Sequence, residues 1–298
     1  MKVCGKDIKV HGRLIRIASP ELDSYEALDD PQAVVDHLRQ SGVRVDLFTF
    51  IQAVPETAPK YAYAMEWDNL AVLPVSTFDH WWKHQIRSYP RNRARQAGKR
   101  GVTLREVPFD AALVQGIWEV YNESPVRQGK PNVHYGKDLQ TVRREEATFL
   151  DRSIFIGAFL GEQLIGFVKL VTDADRTQAN LMNIVAMIKH RDKAPTNALI
   201  AESVRSCAQR GIRYLLYQNF TYGSKKPDSL TNFKEVNGFA RVDLPRYYIP
   251  LTLMGRAALR LRLHHSLVDQ LPESMGARMR ELRSAWYNRH LPSETEAF

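Results

Sequence analysis

Cysteine is almost missing from this 298-residue chain: Cys4 and Cys207 are its whole complement, and they lie far apart. A disulfide-stapled scaffold is excluded, and a reducing compartment is the natural setting. Cys207 falls on the apolar face of a helical pattern, where packing accounts for it. Glycine forms no long phosphate-cradling loop, cysteine and histidine take no zinc-ligand spacing, and no nucleophile elbow presents a serine. A bound metal is therefore not expected. No uncharged apolar run is long enough for a bilayer, and the N-terminus lacks the apolar core of a signal peptide. A cytoplasmic location is the expectation. Internal repeats and low-complexity stretches are lacking as well.

What the chain has in excess is positive charge. Lysine and arginine number 42 against 33 aspartates and glutamates, a formal net charge of +9. Such a balance favours anionic partners (a phosphate-bearing cofactor, nucleic acid or a membrane surface) without choosing among them. A hydrophobic share of 44% with 25% charged residues is that of ordinary globular protein, and the length admits one large domain or two smaller ones.

Periodicity divides the chain. The first hundred residues alternate strand and helix: a strand at Val10–Ala18, a helix from Asp30–Pro31 to Gly42, and strands at Val43–Phe50 and Met65–Val75. Lys83 to Arg100 is basic and helical, with Pro90 as a break; a solvated connecting helix is favoured slightly over a nucleic-acid contact. A cleaner series follows. Val102–Val107 is a strand, Asp110 caps a helix, Leu139–Phe149 is helical, and Ser153–Phe159 and Gln163–Val171 form a hairpin about Gly161–Glu162. Ser229–Val236 is a short helix, and Phe239–Val242 and Arg246–Leu251 are two strand-like pieces. From Leu253 the chain is a basic helical tail, with packing on the body or a second copy favoured over peripheral contact with a membrane.

Between these pieces lies the stretch on which function is easiest to argue. The apolar run Leu181–Ile188 ends in a charged turn, His190–Lys193, and Ala194–Pro195–Thr196–Asn197 opens an amphipathic helix. Gly211 closes that helix before a second apolar run, Tyr214–Phe220. Strand, basic turn, helix and strand present backbone amides and positive charge to an anion. A capped helix with a solvated turn is the plain alternative.

The order from Val102 to Leu251 resembles that of the GNAT acyltransferases. Arg91–Val102, the loop Arg127–Pro131, Pro195–Leu199 and Asn232–Phe239 are similar to segments of FemAB-like and BioF2-like members, which carry two GNAT-like halves. The resemblance implies an α+β fold: a mixed, mostly antiparallel sheet flanked by helices. It also implies a reduced GNAT-like half over 1–98, an acyltransferase domain over 99–252 and a tail over 253–298. In that family a basic, glycine-containing loop binds the pyrophosphate of coenzyme A. Here Arg191–Thr196 stands in its place, with Ala194 and Thr196 where the glycines would be.

The implied activity is N-acyl transfer from acyl-coenzyme A, with acetyl-coenzyme A the expected donor, to an amine on a small molecule or cell-envelope precursor. The co-substrate residues implied are Ile184, Val185, Met187, Arg191, Lys193, Thr196, Asn197 and Ala198. Glu123 is the candidate base, its plain alternative being a cap or a partner of Arg127; Tyr222 is the candidate acid for the leaving thiolate. Arg127, His134, Tyr135, Lys137 and Lys234 form the candidate acceptor set. FemAB proteins take their acyl group from aminoacyl-tRNA, which remains an alternative donor, as does a non-catalytic module that binds nucleic acid or membrane. A stable nucleic-acid partner is not expected.

Overall fold

The structure, a computed structural model, describes residues 1–21, 23, 28–127, 130–221 and 229–265. In chain order the elements are β1 (Lys2–Val3), β2 (Lys6–His11), β3 (Ile17–Pro20), α1 (Pro31–Gln40), β4 (Leu47–Ile51) and β5 (Ala64–Pro74). Then come α2 (Phe78–His80), a π-turn (Trp81–Gln85), α3 (Ser88–Lys99), β6 (Val102–Val107), α4 (Ala111–Asn122), β7 (Val126–Arg127), β8 (Lys130–Pro131) and α5 (Leu139–Glu146). The rest are β9 (Ser153–Leu160), β10 (Gln163–Thr172), β11 (Gln178–Ala186), α6 (Pro195–Gln209), β12 (Tyr214–Leu216), α7 (Ser229–Val236), β13 (Ala240–Pro250) and α8 (Leu253–Arg260).

Two compact units, each discontinuous in sequence, divide these elements. The first takes in Met1–Ala71, Gln218–Asp228 and Ala240–Glu273. Its strand order is β1-β2-β3-β4-β13-β5, with β3 parallel to β4 and β13 antiparallel to β4. Asp30 caps α1 through the amide of Ala33 at 3.0 Å, Pro31 supplies the first-turn residue that needs no donor, and Val34, Val35 and Leu38 face inward. Phe48, Phe50 and Tyr247 complete that core. Arg246 is pinned there by Asp23 and Asp68, at 2.5 and 2.8 Å. β13 is a single strand of 11 residues rather than the two pieces expected, and its Arg246–Pro250 portion pairs with β4.

The second unit takes in Val72–Tyr217, Ser229–Phe239 and Ser274–Phe298, of which 274–298 lie outside the described residues. Its sheet runs β6-β9-β10-β11-β12 and ends on Val72–Pro74 of β5. Every pairing is antiparallel except β11 with β12. The hairpin expected about Gly161 is β9–β10, Gly161 taking a left-handed φ of +59°. Pro90 breaks nothing: it sits in the first turn of α3, where its missing donor is not needed. Asp110 caps α4 through the amide of Leu113 at 2.8 Å, and Leu113, Ile117, Val120 and Tyr121 are buried. Cys207 is fully buried, which pushes its thiol up to about 12.

Among the described residues no helix is long and apolar enough to cross a membrane. Of the basic tail, α8 falls inside them, and 266–298 fall outside.

Candidate functional site

β11 has two sheet neighbours over only part of its length. It pairs with β12 from Gln178 opposite Tyr214 to Asn180 opposite Leu216. Beyond that point, among the described residues, Leu181–Ala186 pairs with β10 on one side only, down to Ala186 opposite Gly166. A side chain at Gly166 would bring its Cβ to 2.8 Å from the Cβ of Ala186, so β10 and β11 are drawn close where β12 has left. The second apolar run therefore makes a shorter strand than its composition suggests. Peptide groups left unpaired at a strand edge seek partners, and here the edge borders a cavity of about 630 Å³.

Ile184, Val185 and Ala186 line one wall of the cavity; Met187, Ile188 and Arg191 follow in the turn, and Ala194, Thr196 and Asn197 in the start of α6. Tyr217 and the α7 residues Leu230, Asn232, Phe233 and Val236 form an opposing, largely apolar wall. Tyr89, Pro90 and Arg93 come from α3. Three arginines line this space (Arg93, Arg127 and Arg191), and among the described residues no carboxylate does. The local field favours an anion.

The turn after β11 is a 3₁₀ helix, Ile188–Lys193. It is held by groups remote in sequence. Glu123 accepts the amides of Ile188 and Lys189 at 2.7 and 2.9 Å, and its side chain is only 5% exposed. Arg127, 3.9 Å from Glu123, donates to the carbonyl of Ala186. Arg93 donates to the carbonyl of Arg191 at 2.8 Å, and Arg100 to that of Asp192. Ala194 then takes a left-handed conformation, φ 55° and ψ 42°, directly before Pro195. This costs an L-residue roughly 1–2 kcal/mol. Strain of that kind concentrates at functional sites.

Ala194 carries no side chain able to cap α6, so the N-cap position leaves its first-turn donors uncapped. The amide of Ala198, one of the implied co-substrate residues, bonds to the carbonyl of Ala194 at 3.3 Å. Those of Thr196 and Asn197 belong to the uncapped turn facing the positive cavity. His190 lies in the same turn with both ring nitrogens buried and, among the described residues, without partners. Burial, reinforced by Lys193 and Lys189, holds its imidazole below the ordinary histidine value.

Of the implied co-substrate residues, Ile184, Val185, Met187, Arg191, Thr196 and Asn197 meet at this cavity. Lys193 lies beside it, 3.4 Å from Asp192, and Ala198 is buried one turn into α6. Of the implied acceptor set, Arg127 lines the cavity. His134 stacks on Tyr121 with ring centres 4.0 Å apart, and Lys137 pairs with Glu145 at 2.6 Å. Tyr135 is exposed. Lys234 is fully buried, its ammonium 4.9 Å from the ring centre of Tyr217. Tyr222 lies outside the described residues.

Sequence reasoning missed the contributions of Arg93 and Tyr217. The signal for Arg93 was the cationic run from Lys83 to Arg100, read as solvated. It also passed over a buried polar cluster beneath the acceptor loop. There Glu146 accepts from Tyr121 and Asn183, both at 2.8 Å, while Lys169 donates to the carbonyls of Glu146 and Thr148. Burial pushes the Lys169 amine down to about 8, against the opposing pull of Glu146.

No protein-family model matches this chain, and no curated protein matches it in sequence. Solved structures do match it in fold. The L-PGS structure from Bacillus licheniformis aligns with a TM-score of 0.57 at 14% identity, over 86% of this chain and 85% of its own. The C-terminal domain (DUF2156) of an Agrobacterium fabrum protein assigned as a lysylphosphatidylglycerol synthetase aligns with a TM-score of 0.56 at 12% identity, over 86% and 83%. A tandem GNAT protein from the clavulanic acid biosynthesis pathway aligns with a TM-score of 0.46 at 11% identity, over 79% and 75%. At such identities the likeness is one of fold, and the fold is of the GNAT type.

Proposed function

We propose that the second unit is an acyltransferase whose donor is an acyl-coenzyme A, bound in the cleft where β11 parts from β12. The observation that carries this reading is that, among the described residues, the edge Leu181–Ala186 lacks a second strand and opens onto a cavity lined by Arg93, Arg127 and Arg191 and by no carboxylate. An amide-bearing chain such as pantetheine can bond along a strand edge as another strand would. The uncapped start of α6 and the Arg191 side chain suit the pyrophosphate. The apolar wall of Leu230, Phe233 and Val236 would shield the thioester from water.

In this reading the acceptor amine attacks the thioester carbonyl. A C–N bond forms, the C–S bond breaks, the amine gives up a proton and the departing thiolate takes one. Because the thioester is already activated, the protein's share is chiefly positioning and polarisation. Glu123 enters as the residue that holds the donor turn, since both its oxygens are engaged by backbone amides. The acceptor in this proposal is an amine of a small molecule or cell-envelope precursor.

A second reading has one observation behind it. The Agrobacterium fabrum domain, aligned with a TM-score of 0.56, comes from a protein named as a lysylphosphatidylglycerol synthetase, a name that joins a lysyl group to a lipid. On that reading the arginines meet the phosphates of an aminoacyl-tRNA. Calorimetric titration with coenzyme A, acetyl-coenzyme A and longer acyl-coenzyme A species tests the first reading. Filter binding of charged tRNA across a salt series tests the second. Absence of heat across the thioester panel, from protein with a cooperative melt, would sink the coenzyme A assignment.

A further inference from the structure

No bound metal is expected from the sequence, yet in the first unit the fold brings together three groups able to hold a cation: Glu66 of β5, and His264 and His265 just after α8. Among the described residues no other such cluster forms. Both imidazoles turn Nε2 toward the same carboxylate. His264 Nε2 lies 3.3 Å from Glu66 Oε1, and His265 Nε2 lies 3.1 Å from it. The ring centres are 4.1 Å apart, and the three ligand atoms fall within 4.8 Å of one another.

We propose that Glu66, His264 and His265 form a binding site for a divalent transition metal of the zinc class, clamping the end of α8 to β5. Zinc bonds of about 2.0–2.1 Å in a tetrahedron place neighbouring ligand atoms about 3.3 Å apart. The two nitrogen–oxygen separations are at that edge length, and the third edge lies within 4.8 Å. Two neutral nitrogens and one carboxylate are a common zinc donor set, and three protein ligands leave one position for water.

A plain hydrogen-bonded trio explains the arrangement less well. It requires both rings to carry their proton on Nε2 toward one carboxylate, His264 at Oε1 and His265 at 3.1 Å from either oxygen. The Nδ1 of His264 is buried and, among the described residues, has no partner, so no bond from those residues fixes the required tautomer on that side. Burial also makes the site more than a surface chelate. The His264 side chain is 1% exposed, with the Tyr248 ring centre at 4.6 Å, while His265 and Glu66 keep an open side at 33% and 37%.

A competing chelator exists in the second unit, where His80 and His84 stand one helical turn apart with ring centres at 5.2 Å. The test therefore uses the full chain without a histidine tag, stripped with chelator. It is titrated with Co²⁺ in the visible and with Zn²⁺ by calorimetry. One equivalent should bind, and Zn²⁺ should raise the melting temperature. Glu66→Gln, which keeps the shape of the side chain, and His265→Asn should each weaken binding at least tenfold and abolish the thermal shift. The paired variant His80→Ala/His84→Ala should change neither. Circular dichroism of the metal-free proteins shows whether each variant folds. No stoichiometric binding to the folded wild type would overturn the proposal. So would binding that survives both Glu66→Gln and His265→Asn, or that disappears with the His80/His84 pair.

Discussion

In the first unit Arg246 is held by two carboxylates, Asp23 and Asp68, whereas in the second Arg93 donates to the Arg191 carbonyl and the Gln96 side-chain oxygen. Both arrangements satisfy guanidinium donors. Only the first cancels the charge. Asp23 and Asp68 more than offset the burial cost at Arg246, holding it firmly protonated above its ordinary range. Arg93, bonded to neutral oxygens, keeps its positive field directed into a cavity that, among the described residues, no carboxylate lines. A cation neutralised by acids serves stability, and one satisfied by carbonyls remains able to attract a ligand.

The largest expected effect separates the two roles. Arg246→Leu strands two half-buried carboxylates and should cost about 3–5 kcal/mol in urea unfolding, with coenzyme A affinity unchanged. A loss of affinity with retained stability would reverse the comparison. Next comes Arg191→Ala, which should weaken coenzyme A binding by about 1.5–3 kcal/mol in calorimetry while leaving the melt in place. Smaller again is Ala194→Gly. Relief of the left-handed strain, less the extra chain entropy of glycine, should stabilise the protein by up to about 1 kcal/mol. A destabilised variant would show that Ala194 is not strained.

The smallest effect is one of pH. The His190 imidazole is held below its ordinary value of 6.5, so the folded state favours the neutral ring. Its contribution to stability is present above pH 6.5 and is lost as pH falls from there toward the folded value. His134, lowered by burial and by Lys137, acts in the same direction. Melts below pH 6.5 should decline less steeply in His190→Gln than in wild type, and equal slopes would remove His190 from this account.

Local patterns made much of the second unit legible. Asp110 announced α4, Gly161 the hairpin, and Pro195 the start of α6, because each acts within a few residues of itself. The parting of β11 and β12 was not legible. Tyr214–Phe220 reads as one apolar run, and where its pairing stops depends on partners distant in sequence. The same limit hid Arg93, whose bond to the Arg191 carbonyl spans 98 positions. Glu123 was legible as a polar loop residue. That it binds the turn 65 positions onward is a product of tertiary packing. The meeting of Glu66 with His264, 198 positions apart, belongs to the same class.

The central claim is that the arginine-lined parting of β11 and β12 holds an acyl-coenzyme A. Titration of acetyl-coenzyme A and longer acyl species into the wild type and Arg191→Ala tests it most directly. The account predicts one site per chain in the wild type, weakened roughly 10- to 150-fold in the variant, as about 1.5–3 kcal/mol requires. Equal affinities in the two proteins, or no binding by either while both remain folded, would contradict it.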